Sequence, residues 1–463
     1  MGTEPSEILG DFCISVVRCK FLKLFLNRLI HGFCGCNLEI RGPGKWYYCA
    51  LLFAWRTGVR RIIVPVKNRL VEPGAKPLRI AIIFGTRPEA IKLAPLIGRL
   101  KEFPERFQPA TIVTAQHREM LDQVLDLFSI QPDYDLHIIR PRQSLAQITA
   151  HAMTGLDSVL SQVRPDFVLV QGDTSTTFVG ALAAFYHKIP VAHVEAGLRT
   201  KQKFYPFPEE INRHLTTVLA DAHFAPTEES RENLLSEGIA SSSIWVTGNT
   251  VIDALQDVLT WNRLCNHPIL ARVAAEKLRM VFVTSHRREN QGKPQERICS
   301  ALLDLVAKFP DILIVFPVHL SPAVRDTVMP RLKKQDRVVL LDPIDYFETV
   351  HFMKASYLIL TDSGGIQEEA PALGKPVLVL RDATERPEGV VAGTVRLVGT
   401  DPSKIVGTAS ELLSDIAAYR RMAEAINPYG DGHACERILQ ALEFMAGRAT
   451  SPEPFAYCLR KTD

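Results

Sequence analysis

The chain has 463 residues, too many for one ordinary hydrophobic core, and this length predicts two domains or slightly more. Hydrophobic residues make up 46% and charged residues 23% of the chain, which is typical of a soluble globular protein. The net charge of +3 hides an asymmetry, because residues 1–78 carry 12 Lys/Arg against 5 Asp/Glu while the remaining residues carry 42 against 46. A mildly acidic body excludes a nucleic-acid-binding footprint, so no nucleic-acid partner is expected.

Residues 1–78 are predicted to form a basic leader of uncertain structure. Five of the nine cysteines lie in this leader, and no Cys-x-x-Cys pair occurs that would suggest zinc or redox chemistry. Scattered cysteines without a disulfide framework indicate a reducing, cytoplasmic setting. The apolar run Trp46–Trp55 ends at Arg56, well short of the roughly 20 residues that a membrane-spanning helix needs, so no membrane partner is expected.

From Arg79 onward the chain alternates strand-length apolar runs with helical periodicity. The first predicted strands are Ile80–Phe84, Ala110–Thr114, Phe167–Gln171, Val191–Val194, Phe224–Thr227 and Trp245–Thr247. A second set comprises Met280–Thr284, Ile312–Phe316, Val338–Leu341, Leu358–Thr361, Val377–Leu380 and Val395–Val398. Helices are predicted between them, including one after Pro88 and one over Leu145–Val163. Near-continuous apolar strands alternating with helices indicate parallel sheets covered on both faces.

The predicted fold class is therefore α/β, with two Rossmann-like parallel-sheet domains that face each other across a cleft. The first domain is placed at residues 79–250 and the second at residues 251–430. Residues 431–463 are predicted to form a C-terminal helix that packs back on the first domain, followed by a tail. In such folds ligands bind outside the carboxyl ends of the strands, so the cleft is the expected functional site.

The segment Asp362–Glu369 joins an apolar strand to a helix that opens with two glycines. Backbone N–H groups at such a helix start, freed of side-chain bulk by Gly364 and Gly365, favour an anion, and Ser363 adds a hydroxyl donor. A carboxylate one turn further on, from Glu368 or Glu369, is suited to ribose hydroxyls. The segment predicts a binding site for a nucleoside diphosphate.

Polar residues follow three predicted strands of the first domain. Arg87 and Lys92 lie at the start of the helix after the first strand, where solvated charges are an equally good interpretation. Asp173 follows the strand Phe167–Gln171, where it could simply be a helix N-cap. Glu195 ends a strand that also carries His193 on the same face, and a carboxylate there is costly unless it is used. Asp173 and Glu195 are therefore candidate acid or base groups.

Two further clusters complete the predicted site. Glu209 and Arg213 stand four residues apart at a helix start, where a simple ion pair between them is the alternative interpretation. His286 opens the first loop of the second domain together with two arginines that suit a pyrophosphate, whereas His319 could be a core histidine. The segment Asp133–Asp135 has an Asp-x-Asp spacing but lies between predicted elements, so neither a metal site nor a cofactor is predicted.

Several long motifs in collinear order resemble one enzyme family. They are Gly85–Ala90, Gly172–Thr174, His193–Thr200, Pro206–Glu210 and Asp362–Glu369. From Arg79 to about Met445 the chain is similar to the non-hydrolysing UDP-N-acetylglucosamine 2-epimerases, whereas the leader has no counterpart in the family pattern. The resemblance implies a glycosyltransferase-B fold and the interconversion of UDP-N-acetylglucosamine and UDP-N-acetylmannosamine, a precursor of bacterial surface polysaccharides. It also implies elimination of UDP to 2-acetamidoglucal, followed by its re-addition.

The same resemblance implies roles for individual residues. Asp173 and Glu195 would transfer protons at C2, with Glu209 and Arg213 in support. The groups expected to hold the departing diphosphate are His286, Arg87, Ser363, Gly364 and Gly365, and Lys92 would add positive charge nearby as a further substrate-binding residue. Glu369 would bind the ribose, and the first and second domains become the catalytic and UDP-binding domains. A homodimer is expected from the family alone.

Some residues depart from the family pattern, and other functions stay open. Ser285, Tyr205 and Thr349 replace residues that are common in the family, but none of them removes a reacting group. The stretch Gln116–Glu119 resembles a site for a second, activating substrate molecule, although Glu119 stands where Gln is frequent. A hydrolysing 2-epimerase that releases N-acetylmannosamine and UDP, a non-catalytic UDP-sugar-binding module and a glycosyltransferase remain alternatives.

Overall fold

The structure, a computed structural model, describes residues 76–115, 118–140 and 142–456. The basic leader predicted for residues 1–78 lies outside this range except for its last three residues, and Gln116 and His117 of the predicted activating stretch also lie outside it. Among the described residues no helix is both long enough and apolar enough to span a bilayer.

The first half of the described chain forms a seven-stranded sheet in the order β3-β2-β1-β4-β5-β6-β7. All of its neighbouring strands pair in parallel. The strands are β1 Leu78–Phe84, β2 Phe107–Val113, β3 Tyr134–Asp135, β4 Phe167–Gln171, β5 Val191–Val194, β6 Ala222–Ala225 and β7 Ile244–Val246. The strand order reverses between β1 and β4, which creates a crevice at their carboxyl ends.

The second half forms a six-stranded parallel sheet in the order β10-β9-β8-β11-β12-β13. Its strands are β8 Arg279–Thr284, β9 Ile312–Pro317, β10 Val338–Leu341, β11 Leu358–Thr361, β12 Val377–Val379 and β13 Val395–Leu397. The order reverses between β8 and β11, so the two sheets share one doubly wound topology.

Helices connect successive strands and cover the sheets. In the first half they are α1 Arg87–Glu102, α2 Arg118–Leu127, α3 Leu145–Val163, α4 Ser175–Tyr186, α5 Glu209–Leu219, α6 Glu228–Ser236 and α7 Thr250–Thr260. In the second half they are α8 Pro268–Glu276, α9 Lys293–Lys308, α10 Pro322–Leu332, α11 Tyr346–Ala355, α12 Gly364–Ala372, α13 Pro387–Val391, α14 Pro402–Ser414, α15 Ile416–Ala423 and α16 Ala434–Met445. Short 3₁₀ turns occupy Ser241–Ser243 and Arg288–Asn290.

The predicted α/β fold with two Rossmann-like sheets is confirmed. All twelve predicted strands are present, with ends that differ by no more than three residues, and α3 has the predicted bounds. Strand β3 was not predicted, because two residues are too few to give a periodic pattern. The domain boundaries at residues 250 and 430 stay predictions.

Helix α7 joins the two halves through shared apolar packing. It contacts α1 of the first half and α11 and α12 of the second. Its buried side chains Val251, Ile252, Leu255 and Val258 belong to a hydrophobic cluster that also contains Phe84 of β1 and Phe282 of β8. Because this cluster is continuous across both halves, the carboxyl ends of the two sheets are held opposite each other.

The C-terminal helix α16 packs on α1 and α7 of the first half. Arg106 donates to both carboxylate oxygens of Glu443 at 2.8 and 2.6 Å, and both side chains are nearly buried. Asp253 accepts from the backbone N–H groups of Ala434 and Cys435, which satisfies donors that a helix start leaves without partners. The chain therefore crosses back to the first half after α15.

Candidate active site

The polar clusters lie where the strand order reverses in each sheet. The loops after β1 and β4 carry Arg87 and Asp173, and the loop after β5 carries Glu195. In the second sheet the loops after β8 and β11 carry His286 and Ser363. The predicted residues thus lie at the crevices where doubly wound sheets bind ligands.

A buried carboxylate ties the first two of these loops together. Glu89 accepts from the backbone N–H groups of Gly85 and Thr86 at 3.1 and 2.8 Å. Its other oxygen accepts from the hydroxyls of Thr174 and Thr177 at 2.7 and 3.1 Å. Burial raises the pKa of Glu89, and these hydrogen bonds partly offset the rise. Glu89 therefore fixes the position of the Asp173 loop relative to the start of α1, a role the sequence did not reveal.

Asp173, Glu209 and Arg213 form one cluster. Arg213 pairs with the Asp173 carboxylate and lies 3.3 Å from Glu210, whereas no described ion pair joins it to Glu209. Asn212 donates to the Asp173 backbone oxygen at 3.0 Å. Burial raises the pKa of Glu209, and the nearby Asp173 carboxylate adds to this rise. The alternative interpretation of a Glu209–Arg213 pair is therefore wrong, because a carboxylate from another loop takes the guanidinium.

Glu195 forms a separate, buried cluster. Its backbone has a φ of +64°, an uncommon conformation for a residue with a side chain. Its carboxylate accepts from Lys92 and Gln171, each at 2.5 Å, and from Asn249 at 2.9 Å. Burial alone would raise the pKa of Glu195, but the Lys92 ammonium, together with Arg386 and the Asn249 hydrogen bond, holds the pKa below its ordinary value. The structure thus places Lys92 in contact with a carboxylate, whereas the resemblance implied only a positive charge near the substrate.

In the second half, buried Asp362 organises the loop that carries His286. It accepts from the backbone N–H groups of His286 and Arg287 at 2.9 and 3.0 Å and from Asn290 at 2.9 Å. The Ser285 hydroxyl, a departure from the family pattern, lies 3.0 Å from the same carboxylate and is accommodated there. The first half uses Glu89 in the same way, so each sheet has a buried acid that joins its two reversal loops.

His286 stands at the mouth of the cleft. Its ring stacks on that of His319 with a centroid distance of 5.8 Å, so His319 is a neighbour of the site. Although 42% of the His286 side chain is exposed, the surrounding protein lowers the pKa of the imidazole by burial. At neutral pH the ring is therefore neutral and can donate a hydrogen bond without carrying a full charge.

Helix α12 begins beneath an arginine that the sequence reasoning missed. A Cβ atom on Gly364 would lie 2.6 Å from Nη1 and 2.7 Å from Cζ of Arg386, so only glycine lets this guanidinium rest on the helix start. Arg386 donates to Glu368 at 2.5 Å and lies 3.1 Å from Glu385. Burial would lower the pKa of Arg386, but the carboxylates of Glu368, Glu385 and Glu195 together raise it, so the guanidinium is charged. Residues Arg381–Glu388, a charged run after β12, were the available sequence signal.

The two neighbouring glutamates of α12 have different surroundings. Glu368 holds Arg386, whereas Glu369 accepts from the Tyr346 hydroxyl at 2.9 Å. Burial raises the pKa of Glu369 to about 7. Arg87 of the first half is close enough to interact electrostatically with Asp345 and Glu369, and burial lowers the pKa of its guanidinium. Ser363 makes no side-chain cap, but its backbone N–H donates to the Thr361 hydroxyl at 2.9 Å.

Beside these clusters, a cavity of about 240 Å³ opens between the two halves. Tyr205, another departure from the family pattern, lines it and lies 3.3 Å from Arg381 through its hydroxyl. Thr227 donates at 2.7 Å to Glu388, which also lines this cavity. Thr349 bonds only within its own helix, to the Asp345 backbone oxygen. The two halves therefore contact each other through polar groups around the cleft.

No group of three His, Cys, Asp or Glu side chains within residues 76–115, 118–140 and 142–456 is arranged to hold a metal ion. Asp133 of the Asp-x-Asp segment accepts from the backbone N–H of Thr111 at 2.7 Å. Asp135 accepts from the backbone N–H of His137 at 3.2 Å. Hydrogen bonds to local backbone thus account for the spacing of these two acids.

The protein has two doubly wound parallel sheets that face each other. One half carries the acids, and the other carries an arginine over a glycine-opened helix. This arrangement defines an α/β protein of glycosyltransferase-B type. A solved structure of a glycotransferase of kitacinnamycin shares this fold, with 12% identity, a TM-score of 0.53 and coverage of 81% of this chain and 100% of that one.

Closer similarities identify the family. The family model described as UDP-N-acetylglucosamine 2-epimerase matches residues 99–443. UDP-N-acetylglucosamine 2-epimerase of Bacillus subtilis is 52% identical over 381 residues, which cover 82% of this chain and 99% of that protein. A crystal structure of UDP-GlcNAc 2-epimerase from Neisseria meningitidis bound to UDP-GlcNAc is 49% identical, with a TM-score of 0.72 and coverage of 79% of this chain and 99% of that one. The chain belongs to the UDP-N-acetylglucosamine 2-epimerase family.

Proposed function

We propose that the protein epimerises UDP-N-acetylglucosamine reversibly at C2 to give UDP-N-acetylmannosamine, without releasing free sugar. The observation that carries this proposal is that acids of the first half face cations of the second. Arg386 interacts electrostatically with Glu195, Arg287 interacts with Glu209, and Asp173 is a neighbour of Glu209. The Neisseria meningitidis relative was solved with UDP-GlcNAc bound, which supports the same ligand here.

The chemistry explains why several acids are needed. The hydrogen on C2 has no adjacent carbonyl, so its direct removal would leave a carbanion without stabilisation. When a base takes this proton while the C1–oxygen bond breaks, UDP departs with the bond's electrons and a C1=C2 double bond remains in 2-acetamidoglucal. In the return step a proton is added to the opposite face of C2, and the UDP oxygen rebuilds the bond to C1. UDP is thus both leaving group and nucleophile.

The second half supplies the site for the departing diphosphate. In our proposal the backbone N–H groups of Gly364 and Gly365, the Ser363 hydroxyl and Arg386 receive the anion, and neutral His286 donates one hydrogen bond. Preorganised donors of this kind contribute roughly 3–4 kcal/mol each to transition-state stabilisation in enzymes. Glu369 accepts from the ribose hydroxyls. Arg87 reaches the same region from the first half, which is consistent with its assignment to the diphosphate.

The first half supplies acids with contrasting protonation behaviour. Glu195, whose pKa is lowered by Lys92, is ionised and suited to act as a base. Asp173 and Glu209 are neighbours, and burial together with the Asp173 carboxylate raises the pKa of Glu209. Glu195 and Glu209 thus have pKa values that their surroundings push apart, as is usual for the acids and bases of an active site. Following the family resemblance, we assign proton transfer on one face of C2 to Glu195 and on the other to Asp173, with Glu209 and Arg213 in support.

The test is epimerisation in deuterated water, followed by NMR. The wild-type protein should incorporate one solvent deuterium at C2 of both nucleotide sugars without accumulating free N-acetylmannosamine. Asp173→Asn and Glu195→Gln should lose this exchange, whereas Asp401→Asn, a cap of α14 remote from the cleft, should retain it.

Each contrary result points to a different function. Free N-acetylmannosamine with stoichiometric UDP would indicate the hydrolysing reaction. UDP binding without any exchange by the wild-type protein would indicate a binding module, and transfer to an acceptor would indicate a glycosyltransferase. Full activity of either acid variant would overturn the assignment of that residue.

The remaining expectations from the family resemblance are also proposals. We propose a homodimer, which light scattering of the full chain would detect as twice the chain mass. A cytoplasmic location and a place in surface polysaccharide synthesis are proposed on the same resemblance, and cell fractionation and the polysaccharide content of a deletion strain would test them.

A further inference from the structure

The chain passes between the two halves at two places, and these crossings touch each other. The first crossing is the segment that enters α7, and the second is the segment between α15 and α16. The backbone N–H of Asn249 donates to the Tyr429 oxygen at 2.7 Å. A Cβ atom on Gly248 would lie 3.2 Å from the Gly430 Cα, so the two backbones approach as closely as glycines allow. Asn249 thus lies where the two crossings of the chain meet.

The side chain of Asn249 uses each of its polar atoms. Its Oδ1 accepts from the backbone N–H of Val251 at 3.1 Å and caps α7. Its Nδ2 donates to Oε1 of Glu195 at 2.9 Å and to Oε2 of Glu368 at 3.0 Å. Asn249 is only 3% exposed, so these bonds are shielded from water. One buried amide therefore joins a carboxylate of the first half to a carboxylate of the second.

The second of these carboxylates leads directly to the proposed diphosphate site. Glu368 uses its other oxygen, Oε1, to hold Arg386 at 2.5 Å, and Arg386 rests on Gly364. An anion at the start of α12 must pair with this guanidinium or move it, because Arg386 occupies the space above Gly364. Either event weakens or shifts the Arg386–Glu368 contact and thereby the Glu368–Asn249 bond.

We propose that Asn249 is a positioning residue that aligns Glu195 for proton transfer and couples this alignment to occupation of the diphosphate site through Glu368. This inference rests on the proposed function, because it presumes that Glu195 reacts with the sugar. Asn249 itself does not touch the reacting atoms. The hydrogen bond that it donates to Glu195 helps to keep this carboxylate ionised and oriented, and the bond that it donates to Glu368 links that orientation to the second half.

Substitutions of Asn249 can separate its role as the N-cap of α7 from the role of the two hydrogen bonds that its side chain donates. Asn249→Ser retains a good N-cap residue for α7 but is too short to bridge the two carboxylates. Asn249→Asp also retains the cap acceptor, but it replaces the donor by an oxygen that repels Glu195 and Glu368. A role limited to the cap predicts little change for either variant. The proposed role predicts losses for both, with aspartate worse than serine.

The experiment measures kcat/KM of the full chain against pH, together with UDP affinity by calorimetry. Hydrogen bonds to an ionised carboxylate lower its pKa, so losing one should move the acid limb of the kcat/KM profile of Asn249→Ser upward by about 1 pH unit. Asn249→Asp should move the acid limb of the profile further upward in pH. Both variants should still bind UDP. Asp401→Asn, the reverse change at a remote helix cap, should leave the profile unchanged.

A double-substitution cycle tests the coupling. If Asn249 acts through Glu368, then Asn249→Ser and Glu368→Ala should combine to less than the product of their separate losses in kcat/KM. Strictly multiplicative losses would refute the coupling. An unchanged acid limb in both Asn249 variants would refute the positioning role, even if their melting temperatures fall. An inactive wild-type protein would instead refute the proposed function, so the two failures are distinguishable.

Discussion

Replacement of Glu369 by glutamine should stabilise the protein at high pH. Burial raises the pKa of this carboxyl from 4.5 to about 7, so the folded protein binds a proton that the unfolded chain has already released at neutral pH. Stability therefore falls as the pH rises from about 4.5 to about 7 and stays low above that range. At about 1.4 kcal/mol per pKa unit, this difference in pKa between the folded and unfolded states lowers the free energy of unfolding by about 1 kcal/mol at pH 5 and about 3 kcal/mol at pH 8.

Glutamine resembles the protonated acid and retains an acceptor for the Tyr346 hydroxyl. Glu369→Gln should therefore raise the free energy of unfolding by up to about 3 kcal/mol at pH 8 and by about 1 kcal/mol at pH 5. Denaturant unfolding at the two pH values measures the difference. The exposed Glu105→Gln provides a matched control with no expected pH-dependent change. A gain from Glu369→Gln that is equal at both pH values would refute the reasoning.

Three further predictions concern backbone positions and a helix cap. Gly407→Ala should raise the free energy of unfolding by about 0.5–1 kcal/mol, because the glycine is inside α14 and a methyl group there meets nothing within 4 Å. A loss of stability in denaturant unfolding would contradict this prediction. Gly364→Ala should weaken UDP binding about tenfold in calorimetry, since its methyl group would displace Arg386; unchanged affinity would show that neither group holds the anion. Asp253→Ala should lower the free energy of unfolding by about 2 kcal/mol, because it removes the acceptor for the backbone N–H groups of Ala434 and Cys435 at the start of α16. A loss below about 0.5 kcal/mol would contradict this capping role.

The sequence predicted the sheets because each strand is a local apolar run. The run Phe167–Gln171 needed no information from elsewhere in the chain, and the parallel pairing followed from the helices between the strands. Asp173 and Glu195 were found for the same reason. Each comes at or just after the end of such a run, and the carboxyl ends of parallel strands meet at one edge of a sheet.

Partners from distant parts of the chain could not be predicted in this way. The spacing of Glu209 and Arg213 left a simple ion pair between them as an alternative, yet Arg213 pairs with Asp173, which is 40 residues away. Asn249 bonds to Glu368 across 119 residues, and its sequence neighbours give no sign of this contact. Helix periodicity places residues on the same face of one helix, but it carries no information about which loop of another half will face them.

The cleft carries buried charges that the fold alone does not require. Lys92 of α1 pairs with Glu195, which lies at the end of β5. Arg386, in the loop after β12, pairs with Glu368 of α12. Buried ion pairs contribute little net stability, because desolvation offsets their attraction. Their value here is that neither cation is left unpaired before the substrate arrives. In the proposed mechanism, a diphosphate that pairs with Arg386 competes with Glu368, and this competition reaches Glu195 through Asn249. The arginine that we propose for the anion is thus linked through Glu368 and Asn249 to the carboxylate that we propose as the base.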